Sequence, residues 1–186
     1  EIITYEFIII GLVVGSAIGL PMGLLVPMTA MPQRIAVSHM FGALAVTLVG
    51  IAEFLHYRDV PGGPGAVKMV ALGFETIFGA LTITGSFMAF GKLQGIISGR
   101  PITFPGQKII NAGIFIGAIG LWIYLIATQS GGPAASGDNG ILLFGLMTLL
   151  ALVIGVTLVL PIGGADMPVV VSLLNSYAGL AASATG

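Results

Sequence analysis

The sequence predicts an all-α integral membrane protein, a polytopic bundle of about six transmembrane helices forming a single transmembrane domain over residues 1–186. Two observations carry the prediction. Hydrophobic residues make up 56% of the chain and charged ones only 7%, with a mean hydropathy of +1.11, whereas a soluble domain carries about 25% charged residues. The apolar residues also fall into six stretches, each near the ~20 residues that one crossing of a ~30 Å hydrocarbon core requires. Glycine-, proline- and charge-rich breaks separate them.

Helix one is expected from Phe7 to Val26, with Gly11, Gly15, Gly19 and Gly23 at every fourth position. This small-xxx-small spacing lets helix backbones approach closely. Pro27-Met28-Thr29-Ala30-Met31-Pro32 ends it, because proline removes a donor. Helix two runs from Gln33 to His56; Glu53 near its end, beside His56, Tyr57, Arg58 and Asp59, reads as interfacial anchoring. After the turn Pro61-Gly62-Gly63-Pro64-Gly65, helix three spans Ala66 to Phe90. Helix four, Gln107 to Thr128, repeats the glycine spacing at Gly113 and Gly117, and Trp122 and Tyr124 read as packing and belt residues. A polar turn from Gly131 to Asn139 precedes helix five, Gly140 to Leu160, and helix six runs from Met167 to Gly186.

The net charge of −1 and the absence of a basic run exclude a nucleic-acid partner. Without cysteine there is no disulfide and no thiolate metal site. The chain has no G-x-G-x-x-G fingerprint, no phosphate-binding loop and no H-E-x-x-H. No nucleotide, no metal and no catalytic residue is therefore expected in this segment, whose chemistry is the passage of protons, ions or small polar solutes. Glu1 at the start and an apolar run at the end suggest a part of a longer polypeptide. Six spans put the one-two, three-four and five-six connections on one side, with Arg34, Lys92, Arg100 and Lys108, against Arg58 and Lys68 on the other. The positive-inside bias makes the first side cytoplasmic and the amino terminus external.

Helices two and six begin alike. Met31-Pro32 opens one and Met167-Pro168 the other; seven residues after each proline stand His39 and Asn175, and nine after stand Phe41 and Tyr177. Leu-Ala follows in both, then Gly50 and Gly186. At 1.5 Å per residue, His39 and Asn175 lie about 10 Å beyond their prolines, at one depth from one face. The stripe of His39, Gly42, Val46, Gly50 and Glu53 on helix two is matched by Glu75, Gly79, Thr82 and Ser86 on helix three, and by Ser172, Asn175, Gly179 and Ala182 on helix six. Such stripes should face one another and not lipid. Counting Glu75 inward from the opposite face leaves it only about 7 Å from His39 in depth. Histidine titrates near neutral pH, and a buried carboxyl can be brought toward that range, so the two fit a proton relay. They fit equally an interhelical hydrogen bond and a structural or permanently protonated carboxyl.

The run Gly163-Gly164-Ala165-Asp166-Met167-Pro168-Val169-Val170-Val171-Ser172-Leu173-Leu174-Asn175-Ser176-Tyr177-Ala178-Gly179-Leu180-Ala181-Ala182 closely resembles the signature of the beta subunit of proton-translocating NAD(P) transhydrogenase. Met31-Pro32 through His39, and Thr84-Gly85-Ser86-Phe87-Met88-Ala89-Phe90-Gly91-Lys92-Leu93-Gln94-Gly95, are similar to the same subunit in the same order. The resemblance implies a Re/Si-specific enzyme. Hydride transfer between NAD(H) and NADP(H), on soluble domains absent here, is coupled to proton passage through this membrane domain, which binds no cofactor itself. It implies that His39 is the intramembrane histidine of proton translocation and Asn175 the asparagine beside it, with Glu75 and Ser86 on the same pathway. Asp166, with Arg34, becomes a coupling-loop residue on the side where the NADP(H) domain docks. The implied partners are the lipid bilayer, the alpha subunit with its membrane helices, the NADP(H)-binding domain and a second copy of the assembly, in the inner membrane. Further helices are expected before the first and after the sixth. From the residues alone, a proton-coupled secondary transporter and a passive membrane scaffold remain as rivals.

Overall fold

In the computed structural model the described residues, 5–58, 60, 63–129 and 138–185, form six α-helices and no strand. These are α1 (Glu6–Leu24), α2 (Met31–Arg58), α3 (Gly65–Leu93), α4 (Gln107–Gln129), α5 (Asp138–Val159) and α6 (Met167–Thr185). All six are long and apolar enough to cross a membrane, and the chain is a multi-span membrane protein. Most of the Gly131 to Asn139 turn, Pro61-Gly62, Asp59 and Gly186 lie outside the described residues.

The two Met-Pro helices share their way of starting. Pro27, extended at φ −64° and ψ 148°, leads into a 3-10 turn at Met28–Ala30 and then α2. Gly163, at φ −71° and ψ 155°, leads into a 3-10 turn at Gly164–Asp166 and then α6. Helix α2 therefore starts two residues before the expected Gln33. Proline fits a first turn, whose N–H groups have no partner within the helix, so Pro32 opens α2 instead of delaying it.

Helix α3 is the hub, packing against α2, α4, α5 and α6. Close approaches along it depend on missing Cβ atoms. A Cβ on Gly79 would run into Thr47 and lie 3.3 Å from the Ala43 carbonyl of α2. One on Gly155 of α5 would strike Thr84 and the Leu81 carbonyl of α3. Thr84 uses that proximity to donate a 2.7 Å hydrogen bond to the Leu152 carbonyl. Trp122 of α4 covers Gly73 and donates to the Met69 carbonyl at 3.2 Å. Phe54 and Phe144 stack with ring centroids 4.1 Å apart. These seams bury Met69, Leu72, Ile77, Leu125 and Met147.

The glycines that pack within this chain lie outside the two ladders. At Gly11, Gly15, Gly19, Gly23 and Gly113 an added Cβ would meet nothing within 4 Å among the described residues, and at Gly117 only Leu150 at 3.7 Å. Helix α1 has no buried residue. Spacing alone makes a flat helix face; a neighbour with its own complementary notch decides whether it is used.

At one end the connections are tied together. The Gly164 N–H donates to the Gly99 carbonyl at 2.8 Å, and Ile102 N–H to Leu160 at 3.0 Å. Gln33 Nε2 donates to the Leu93 carbonyl at 3.3 Å, and Arg34 to the Met22 carbonyl of α1. Gly95, at φ 72°, takes the left-handed conformation that ends α3. Lys92, only 4% exposed, directs its ammonium at the open end of α5, donating to Leu160 at 2.5 Å, Ile162 at 2.7 Å and Val159 at 3.3 Å. A cation there satisfies carbonyls that have no partner within the helix and complements the negative end of its dipole.

Candidate functional site

Three contacts define one antiparallel register between α2 and α3: Gln33 with Leu93, Thr47 with Gly79, and Gly50 with Thr76. The same register puts Ser86 opposite Met40, at the depth of His39. From α6, Leu174 lies against Gly85, a Cβ there falling 3.1 Å from the leucine. Asn175 follows Leu174, and its side chain interacts with His39. His39 and Asn175 thus meet at one level, as expected, and Ser86 of α3 lies at the same depth. His39 Nδ1 and Ser86 Oγ are buried without a hydrogen-bond partner.

The two residues border a groove of about 320 Å³ between α2 and α6, lined also by Pro32, Ile35, Pro168 and Ser172. The shared start of the helices makes it: both prolines and the residues seven positions after them line it.

Two expectations about the stripes are corrected. On α3, Glu75, Gly79, Thr82 and Ser86 are all buried. On α6 the stripe of Ser172, Asn175, Gly179 and Ala182 is exposed, and the buried face is Met167, Val170, Val171, Leu174 and Ala181. Its bulkier apolar residues fill the cluster with Met88, Ala89 and Val159, which turns the polar stripe toward the groove. On α2 the face against α3 is Ala36, Ala43, Thr47, Gly50 and Phe54, leaving His39 and Glu53 half-buried at its edge and Gly42 exposed.

The third correction is depth. Glu75 lies against Gly50, whose added Cβ would be 3.3 Å from the carboxyl carbon. Gly50 is eleven residues along α2 from His39, or about 16 Å and not 7 Å. Counting inward from each helix start holds only where that start lies at the membrane face. With 28 and 29 residues, α2 and α3 are each about 42 Å long and overrun a ~30 Å core.

The site therefore has two polar layers. The first holds His39, Asn175 and Ser86. The second holds Glu75, 1% exposed, with its Oε1 and the Thr76 hydroxyl both buried and unpartnered. Beside it Glu53 accepts a 3.0 Å ion pair from Lys68, whose ammonium also sits 3.6 Å above the Tyr57 ring. Between the layers run Thr47, Gly79 and Thr82, the threonine hydroxyls donating to the Ala43 and Phe78 carbonyls of their own helices. Asp166 is exposed on the 3-10 turn before α6. Arg34 is engaged at the end of α1 through Met22.

The sequence reading missed the roles of Lys92, Thr76 and the Glu53–Lys68 pair. Lysine at a helix end usually extends to water, so nothing local marked Lys92 as a cap for another helix. Glu53 and Lys68 stand near the facing ends of consecutive helices, and that placement was the available signal.

The family model described as "NAD(P) transhydrogenase beta subunit" matches residues 1–186. The chain belongs to the NAD(P) transhydrogenase beta subunit family. Two curated sequences named NAD(P) transhydrogenase subunit beta, both from Rhodospirillum rubrum, are each 40% identical to it over 186 residues. Those alignments cover 98% of this chain and 38% of each relative, so the chain spans well under half the length of the curated relatives it matches. Within that family the segment supplies helices long and apolar enough to cross a membrane.

Proposed function

We propose that this segment carries protons across the membrane for a transhydrogenase, and that the passage is coupled to hydride transfer between NAD(H) and NADP(H) on other domains of the complete enzyme. The observation that carries the reading is the convergence of His39, Asn175 and Ser86 at one depth, with His39 Nδ1 buried and unpartnered. An imidazole accepts a proton on one nitrogen and releases one from the other. Asn175 cannot titrate, but it donates and accepts together and so orients the ring or a water beside it.

Glu75 serves the same path from the second layer, about 16 Å further along α2. Thr47, Gly79 and Thr82 line the interval between the layers. A continuous wire would dissipate the gradient, so access to His39 alternates between the two sides with the nucleotide state of the NADP(H)-binding domain. Asp166, exposed beside the strapped α3–α4 and α5–α6 connections, is the residue through which that state is communicated. Arg34, near the start of α2, donates to the Met22 carbonyl and so couples α2 to α1 at that end. In this reading the strapped end is cytoplasmic, the membrane is the inner membrane, and the alpha subunit and a second copy complete the assembly. Polar side chains exposed at membrane depth, such as Asn175, are costly against lipid. A helix from the remainder of the enzyme covering the α2–α6 groove removes that cost.

The deciding measurement is proton pumping by the complete enzyme carrying His39→Ala in proteoliposomes, with nucleotide exchange followed in detergent. Pumping is expected to be lost while residual exchange shows that the protein assembles. Undiminished pumping with the alanine in place overturns the reading.

A further inference from the structure

The Glu75 end of the path has a structure that the His39 layer does not explain. Glu75 and Thr76 each keep a buried polar atom without a partner, both turned to the notch that Gly50 leaves in α2. A Cβ there would lie 2.7 Å from the Thr76 hydroxyl and 3.4 Å from Glu75 Oε1, so only glycine lets the carboxyl approach the α2 backbone this closely. One turn beyond Gly50, on the same edge of α2, stands Glu53, close enough for its charge to act on Glu75. Glu53 is half-buried, its side chain 38% exposed, and is held by Lys68, 33% exposed. Lys68 belongs to α3 and precedes Glu75 by two turns. Tyr57 closes the outer side by packing its ring under the ammonium. The helices behind this pair, α4 and α5, contribute Trp122, Leu125, Phe144 and Met147. Among their described side chains the one charge is Lys108, at the strapped end of α4.

From this geometry we infer that Glu53 is a proton relay between the aqueous face opposite the strapped end and Glu75, and that Lys68, backed by Tyr57, is its latch. The inference rests on the proton-pathway reading above and adds the entry that the reading lacks. In the resting arrangement Glu53 is a carboxylate paired with the Lys68 ammonium. A proton from water adds to a carboxylate oxygen of Glu53, which becomes neutral and releases Lys68. The acid then turns toward the Gly50 notch and gives its proton to the Glu75 carboxylate, directly or through one water. Glu53 regains its negative charge and its lysine, and Glu75 carries the proton as a neutral acid. At rest both carboxyls are ionised, with Glu53 neutralised by Lys68; after uptake, and again after transfer, the two carboxyls carry one negative charge and one proton between them. A half-exposed ion pair is weak, which suits a contact that must open at every passage.

The test uses the complete enzyme in proteoliposomes with four variants: Glu53→Gln, Glu53→Asp, Glu75→Gln and the double Glu53→Gln/Glu75→Gln. His39→Ala is run beside them, and nucleotide exchange in detergent reports assembly. Glu53→Gln is expected to slow pumping by at least about tenfold, the lower scale for losing a positioned proton donor. Glu53→Asp is expected to restore most of the rate with a displaced pH profile, which a merely structural carboxyl would not produce. Two residues acting in series make the double variant no slower than the slower single one. Wild-type pumping by Glu53→Gln overturns the relay whatever His39→Ala does, and so do losses that multiply in the double variant. Should Glu53→Gln lose pumping while His39→Ala keeps it, the relay stands and the His39 reading falls. If Glu53→Gln does not assemble, Lys68→Met decides: an altered pH profile of pumping supports the latch, and an unaltered one overturns it.

Discussion

The two sides of α3 handle the same residue type in opposite ways. Toward α2, α4 and α5, glycines at Gly50, Gly73, Gly79 and Gly155 are filled by a neighbour's side chain or backbone. On α1 and along the α2–α6 groove, Gly11, Gly15, Gly19, Gly23, Gly42 and Gly179 have open space where a Cβ would go. A glycine in a membrane helix is thus a packing element only where the partner surface rises to meet it. In this chain the filled ones lie where α3 meets α2, α4 and α5, from the level of Glu75 to that of Gly85, and the open ones lie on α1 and on the outward faces of α2 and α6.

The sharpest way to break that contrast is to add one methyl group on each side. Gly155→Ala is expected to be the most damaging, because its Cβ meets the Leu81 carbonyl and falls 3.0 Å from the Gly85 nitrogen, backbone atoms that cannot step aside. Overpacking of this kind costs about 3 kcal/mol at the upper end of its usual range. Gly42→Ala should leave thermal unfolding in detergent unchanged. Equal effects from the two variants would show that the open and filled glycines are not distinct.

A second test concerns the strapped end, where the filled side is closed by charge. Lys92→Met keeps the length of the side chain and removes all three bonds to Val159, Leu160 and Ile162. Hydrogen bonds from a charged donor are worth about 2 kcal/mol, and the carbonyls left behind are close to the core. The variant is expected to unfold at lower temperature in detergent, with Lys92→Arg recovering part of the loss. Unchanged unfolding would mean that water replaces the ammonium without cost.

The helices were legible from the sequence because hydropathy and length act one segment at a time. The boundaries of all six fall within a few residues of those expected. The pairing of His39 with Asn175 was legible too, since the repeated Met-Pro start fixes both phase and depth. Facing was not. Which side of α6 turns inward is decided by where Val170, Val171 and Leu174 find partners on α3 and α5, a property of pairs of helices that no single stripe contains. The depth of Glu75 was misjudged for a related reason: it depends on the α2–α3 register, set by Gly50 and Gly79 meeting Thr76 and Thr47.

The smallest effect expected is on stability at the Glu53–Lys68 pair, and its smallness is what makes it informative. Both side chains are more than a third or close to a third exposed and their ion pair is 3.0 Å long. Screening by water holds such a pair to about 0.5 kcal/mol, well below the Lys92 contacts at the other end of the same helix. Lys68→Met should therefore shift detergent unfolding far less than Lys92→Met, even though both remove an ammonium from α3. A comparable loss at the two positions would make Lys68 a structural tie of the kind that Lys92 is. A small loss leaves the pair free to open, so that any change in proton flux from altering it reports on the path and not on the fold.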